Sequence, residues 1–305
     1  MKSPAKRAGA LSPRRRYGGL AVRVLIAGYG YVGQALGRRL VAQGDSVVAV
    51  RRRLGAEVLG VKQLALDLTS PDASRSLPSD IDAVVYSVAP DERSDAAYHA
   101  AYVLGLSQVL KAAAAANVQR IIFTSSTAVY REHEGGWVDE SSPLNHDTFS
   151  ARRLVEAEEL ARSASGVVLR LAGIYGPGRI AFLRSVQRGE VAAESGPPRY
   201  MNRIHRDDCA GAILHLLQLA RPEPIYLGVD DAPAEKNTVV AWLRNELGLP
   251  PSESRTAPSP SARDVGNKRC SNARLRRSGY AFRYPSFREG YAPLIQADLG
   301  LAPQQ

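Results

Sequence analysis

The sequence predicts an α/β fold, a doubly wound parallel sheet followed by a smaller C-terminal lobe that would take a substrate. Three observations predict it. Short apolar runs alternate with amphipathic helical runs from residue 22 onward, as a parallel sheet flanked by helices requires. A glycine-rich turn, GYGYVG, joins the first strand to the first helix. The composition is that of an ordinary globular chain, with 45% hydrophobic and 23% charged residues in 305, enough to bury a large core. The expected division is a disordered basic tail over residues 1–20 and a nucleotide-binding domain over 21–175, completed by about 203–231. Segments 176–202 and 232–305 would form the smaller lobe.

The tail, MKSPAKRAGALSPRRR, holds six positive charges and no acid, so it carries most of the net charge of +10. It has no apolar stretch of the secretory kind. Val22–Ala27 follows as the first strand and stops at Gly28. Residues 34–43 place Leu36, Leu40 and Val41 on one helical face, ended by Gly44. Further strands are expected at 46–50, 63–66, 83–88 and 120–123. A long alanine-rich helix, 94–116, separates the last two. Later come helices at 182–188, 206–219 and 238–247, a strand at 224–229, and a Pro- and Ser-rich surface loop at 250–266.

Gly28, Gly30 and Gly33 have the GxGxxG spacing in the place that gives it meaning, directly after a strand and opening a helix. The first glycine permits the tight turn and the second lets the backbone approach a pyrophosphate. The third permits close helix packing, and the helix N-terminus offers N–H donors to the anion. A Rossmann sheet binding a dinucleotide is therefore expected, with Tyr29, Tyr31 and Val32 at the same turn. The second strand ends in VRRR where an NAD-specific fold carries an acid. Arg51 and Arg52 suit a 2′-phosphate, so NADP is expected, with NAD possible if these arginines form only a solvated loop.

LDL (66–68), FTSSTAVY (123–130), RLAGIYGPGR (170–179) and NRIHRDDCA (202–210) then follow in order. With the glycine turn they resemble the extended short-chain dehydrogenase/reductases, of NAD(P)-dependent epimerase/dehydratase type. The resemblance implies that Asp67 and Leu68 flank the adenine, and that Ser87, Val88 and Ala89 end a strand beneath the cofactor. It implies that Gly173, Ile174 and Tyr175 lie near the nicotinamide, that Ser125 belongs to the cofactor site, and that Ser126 polarises the substrate's carbonyl or hydroxyl. It also implies a tyrosine with lysine four residues on. Alignment puts Phe149 and Arg153 there, and none of the 13 tyrosines has lysine four residues later. Phenylalanine has no exchangeable proton and arginine stays charged, so the chain resembles an atypical branch. Arg153 could still hold a ribose or phosphate. Tyr130, Tyr175 and His205 are the candidates for a relocated acid–base group.

Arg179, Arg203, Lys268, Arg269 and Arg274 are expected to meet a small anionic or sugar-like substrate. The leading reading is an NADP-dependent oxidoreductase or epimerase. The alternative is a non-catalytic NADP(H)-binding sensor or scaffold. Cys209 and Cys270 make no disulfide framework, which suggests a reducing, cytoplasmic setting. No metal site, membrane span or nucleic-acid partner is expected, and the chain is read as a monomer or homodimer.

Overall fold

The computed structural model describes residues 21–252, 255–256 and 266–298. The basic tail expected to be disordered, and most of the expected Pro- and Ser-rich loop, lie outside the described residues.

Seven strands form one parallel sheet. They are β1 (Arg23–Ala27), β2 (Ser46–Arg51), β3 (Val61–Ala65), β4 (Ala83–Tyr86), β5 (Arg120–Ser126), β6 (Val167–Leu171) and β7 (Ile225–Gly228). Their order across the sheet is β7-β6-β5-β4-β1-β2-β3. Parallel pairing demands burial of both faces, and β1, β4 and β6 are buried along nearly their whole length as a result. Helices α1 (Tyr31–Ala42) and α5 (Arg206–Gln218) cover one face through Leu36, Leu40, Ile213 and Leu217. Helices α2 (Gly105–Ala115) and α3 (Phe149–Ser163) cover the other through Leu106, Val109, Ala157 and Ala161. A separate cluster joins α4 (Ala181–Gln187), α6 (Lys236–Glu246) and α7 (Phe287–Asp298) through Leu183, Val239, Leu243, Phe287 and Tyr291.

Two departures from the sequence expectation bear on the site. The long helix at 94–116 is not uniform. It runs as α-helix over Asp95–Tyr98, as π-helix over His99–Leu104, and as α-helix again from Gly105. Strand β6 was not among the expected strands, because Arg170 interrupts its apolar run. Arg170 is nevertheless buried, bound by the Glu158 carboxylate of α3. Short parallel pairings tie the C-terminal half back to the sheet end. Arg203–His205 runs beside Gly173–Tyr175, and Arg269–Cys270 beside Trp137–Val138.

Candidate active site

The order of strands reverses between β1 and β4, so the chains leaving their C-terminal ends part in opposite directions and open a crevice. A cavity of about 790 Å³ occupies that crevice. The three glycines of the first turn do different things there. A Cβ on Gly28, at φ +93°, would lie 2.4 Å from the Ser87 carbonyl oxygen, so the turn can pass β4 only without a side chain. A Cβ on Gly33 would lie 2.6 Å from the Gly28 oxygen, which fixes the close start of α1. A Cβ on Gly30 would meet nothing within 4 Å. The space beside Gly30 is cleft.

Gly30 caps α1 without a side-chain hydrogen bond, and the first turn of the helix carries no acidic residue. Its first N–H groups are therefore left to an anion, with the helix dipole favouring one. Tyr29, Tyr31 and Val32 line the cavity with these glycines. The Tyr29 ring turns inward against Gly37, so Tyr29 meets the cleft with little but its backbone. The Tyr31 hydroxyl donates to the Pro177 carbonyl at 3.0 Å, joining the glycine turn to the GIYGPGR segment. The guanidinium groups of Arg179 and Arg206 lie 5.8 and 5.2 Å from the Tyr31 ring centre. Arg206 is bound to Asp207, whereas Arg179 has no carboxylate partner among the described residues.

At one end of the cleft stand Arg51, Arg52 and Arg53 from the end of β2, facing Asp67, Leu68 and the segment Ser87–Asp91. Arg52 makes a two-pronged ion pair with Asp91, spanning from the β2 end to the β4 end. That guanidinium holds the Asp91 carboxyl below its ordinary range. Asp67 accepts from the Thr69 N–H at 2.9 Å and its hydroxyl at 2.7 Å, and these bonds lower its pKa. Arg51 and Arg53 have no carboxylate partner among the described residues. At the other end Ser125, Ser126, Leu171, Ala172, Gly173 and Ile174 line the cavity with Tyr102. The Ser126 side chain accepts from the Ala128 N–H at 3.1 Å, which leaves its own proton to donate. All the cofactor-facing residues expected from sequence line this cavity except Gly33, which packs behind it.

The expected catalytic and substrate residues divide. Ser126 faces the cleft. Tyr130 does not: it is 3% exposed, and Arg170 donates to its hydroxyl at 2.9 Å. Burial raises its pKa, so it is a neutral structural phenol. Arg153 also lies away from the cavity lining. Asp95 takes its guanidinium at 2.8 and 2.9 Å and Glu156 at 2.8 Å, so two surface acids rather than the cleft hold it. Tyr175 is sealed, with its hydroxyl turned against Gly290 of α7. His205 is 1% exposed, and burial depresses its pKa to about 4. It borders a separate cavity of about 310 Å³ beside Tyr284 and α7.

The five cations expected over the substrate do not converge. Only Arg179 lines the cleft, and it stands beside the glycine turn. Arg203 lies within an aromatic cage, 4.5 Å from Phe182, 5.5 Å from Tyr291 and 5.9 Å from Tyr175. Lys268 is buried, which lowers its pKa. Arg269 is sandwiched between Trp137 and Tyr200, and Arg274 reaches Glu140 at 3.5 Å. Arg203, Arg269 and Arg274 are each held by an aromatic or carboxylate side chain distant in sequence, which sequence spacing does not reveal.

Sequence reasoning missed two features. Beneath Ser125 lies a buried network in which Ser125 donates to Glu158 at 2.6 Å and Arg170 binds Glu158 at 2.6 Å and Tyr130 at 2.9 Å. An arginine inside VVLRLA was its only signal. The other is Tyr102, which lies in the π turn and lines the cleft.

The model of the NAD dependent epimerase/dehydratase family matches residues 24–228. The chain belongs to that family. Protein YeeZ of Escherichia coli (strain K12) is 30% identical over 276 residues, 86% of this chain and 96% of its own. A solved structure from Methylobacillus flagellatus, classed with the NAD-dependent epimerase/dehydratases, is 37% identical. It aligns with a TM-score of 0.77 over 92% of this chain and 100% of its own. The 2-alkyl-3-oxoalkanoate reductase of Stenotrophomonas maltophilia (strain K279a) is 34% identical over 174 residues, 52% of each chain. Solved structures that share the fold at 19 to 22% identity hold NAD. No helix among the described residues is long and apolar enough to cross a membrane.

Proposed function

We propose that this member of the family is an NADP(H)-dependent oxidoreductase that interconverts a carbonyl and a hydroxyl on a small substrate, without the tyrosine–lysine pair of its relatives. The observation that carries this reading is the cleft itself. It is open beside Gly30, arginine-lined at one end, and lined by Ser126 and Tyr102 at the other.

The N–H groups of the first turn of α1, with Gly28 and Gly30, would hold the pyrophosphate, and Arg179 would add a cation on that side. Asp67 and Leu68 would flank the adenine. Arg51, Arg53 and, once released from Asp91, Arg52 would take the 2′-phosphate. Ser87–Ala89 and Gly173–Ile174 would bound the nicotinamide half. When bound, the nicotinamide supplies or accepts the hydride. Ser126, with its proton unclaimed, would hydrogen-bond the substrate oxygen and fix the carbonyl in place. Segments 176–202 and 232–305 would supply the substrate lobe. A non-catalytic sensor would use the same cofactor contacts and have no need of the open end at Ser126.

Calorimetry decides the cofactor. NADPH is expected to bind at least tenfold more tightly than NADH, and Arg51→Ala should narrow the gap; equal affinities would exclude a 2′-phosphate site. NADPH oxidation with a panel of 3-oxo esters and nucleotide-linked keto sugars tests turnover. Tight NADPH binding with no oxidation across that panel favours the sensor.

A further inference from the structure

The long helix over the cleft changes pitch where it meets the cavity. Over His99–Leu104 it is a π-helix, with the Gly105 N–H bonded back to the Ala100 carbonyl. Such turns lodge one extra residue, displace a side chain outward, and recur at functional sites. Here two residues hold the turn. The Tyr86 hydroxyl, rising from the end of β4, donates to the Ala101 carbonyl. Gly105 makes room for it, since a Cβ there would lie 2.6 Å from that hydroxyl oxygen.

The side chain presented by this turn is Tyr102. Its ring stands edge-on between Tyr98, at 5.5 Å, and Phe123, at 6.3 Å. It lines the same cavity as Ser126, Gly173 and Ile174. Unlike the hydroxyls of Tyr86, Tyr130 and Tyr31, that of Tyr102 makes no hydrogen bond among the described residues. Unlike those of Tyr29 and Tyr175, it is not sealed from solvent. Phe149, aligned with the family's tyrosine, packs edge-to-face on Tyr98 at 5.4 Å and lies outside the cavity lining. The phenol missing at residue 149 is thus matched by one arriving from the neighbouring helix.

We propose that Tyr102 is the proton donor of the reaction. This rests on the reductase reading above. As the carbonyl carbon of the substrate gains hydride from NADPH, its oxygen gains the electron pair of the C=O π bond. Tyr102 Oη gives that oxygen a proton, leaving a phenolate that is reprotonated by water. The C–H and O–H bonds form, the C=O π bond breaks, and NADP⁺ is the oxidised product. Ser126 holds the same oxygen from the strand side. Burial, and the neighbouring Tyr98, raise the pKa of Tyr102, so at neutral pH it carries the proton a donor needs.

Two measurements test it. In the cofactor-free wild type, N-acetylimidazole should acetylate Tyr102, mapped by peptide mass spectrometry, and saturating NADP⁺ should slow that modification at least fivefold. Failure of Tyr102 to react, or reaction indifferent to NADP⁺, overturns the proposal whatever the activity. In turnover, Tyr102→Phe should cut kcat for NADPH-dependent reduction of ethyl acetoacetate and its 3-oxo ester homologues about 100-fold or more, the range of general acid help. NADPH affinity and the melting temperature should stay unchanged. Full activity in Tyr102→Phe overturns the donor role while leaving the reductase reading intact. Wild-type protein that fails to bind NADPH, or binds it and is inert toward the series, overturns the reductase reading and this role with it.

Discussion

At the scale of single residues, the three turn glycines separate folding from binding. Gly28→Ala places a methyl against the Ser87 backbone at a positive φ, and Gly33→Ala places one against the Gly28 oxygen. Each should lower stability by about 1–3 kcal/mol, read as a fall in melting temperature. A Cβ at Gly30 meets no protein atom within 4 Å, so in Gly30→Val the melting temperature should hold while calorimetry shows loss of cofactor binding. A destabilised Gly30→Val protein would mean that the turn is structural at all three positions. The glycine spacing was legible because backbone geometry imposes it. The fate of Tyr130 and Arg153 was not. Each is settled by a partner distant in sequence, Arg170 for one and Asp95 for the other. A motif shows which residues occupy a segment, and the charges that fold against it decide which of them still face the cleft.

At the scale of elements, β6 and α3 are joined by a buried ion pair. The side chains of Arg170 and Glu158 are 2% and 3% exposed, and Ser125 and Tyr130 complete the set. Removing one partner from such a pair leaves an uncompensated buried charge. Glu158→Gln should therefore cost about 3–5 kcal/mol in urea unfolding, the range for a broken buried pair. The double change Arg170→Met with Glu158→Leu should recover most of that. A loss below about 1 kcal/mol in the single variant would mean that water reaches the pair. The same pair explains why β6 escaped the sequence reading, since an arginine in an apolar run signals a boundary until its carboxylate is located. Most other elements lie within two or three residues of expectation, because hydrophobic period and glycine stops are local. The π turn was illegible. It depends on the Tyr86 hydroxyl meeting the Ala101 carbonyl across 15 residues, and the sequence of the helix alone reads as α.

For the molecule as a whole, His205 makes stability sensitive to mild acid. Its pKa is about 4 in the folded protein against 6.5 in the open chain, and burial is the main cause. The folded state therefore binds this proton less readily than the unfolded one. The stability it supports is complete above pH 6.5 and is lost as the pH falls from 6.5 toward 4. His205→Asn keeps a side-chain acceptor for the Asp207 N–H and has nothing to protonate. Relative to wild type, it should gain about 2 kcal/mol between pH 7 and pH 5, measured by denaturant melts. Asp230, a buried carboxyl whose pKa burial raises, acts in the opposite direction as the pH rises. It is common to both proteins, so the comparison isolates the histidine. A constant difference across that range would show that His205 is not held neutral.

On the proposed NADP(H) reading, the ion pair between Arg52 and Asp91 would make selection of the cofactor a matter of exchange. A 2′-phosphate that takes Arg52 must displace Asp91, so the protein carries an internal competitor for the group it would recognise. Both partners are exposed, and salt screens their attraction along with that between arginine and phosphate. The two losses offset in part, so NADPH affinity should fall less steeply with ionic strength than free arginines would give. Asp91→Asn removes the competitor. It should tighten NADPH at low salt, leave NADH unchanged, and steepen the salt dependence, all readable in one titration series. Asp91, beyond the end of β4, would work as a threshold, admitting the 2′-phosphate only when its charge can outbid a resident anion.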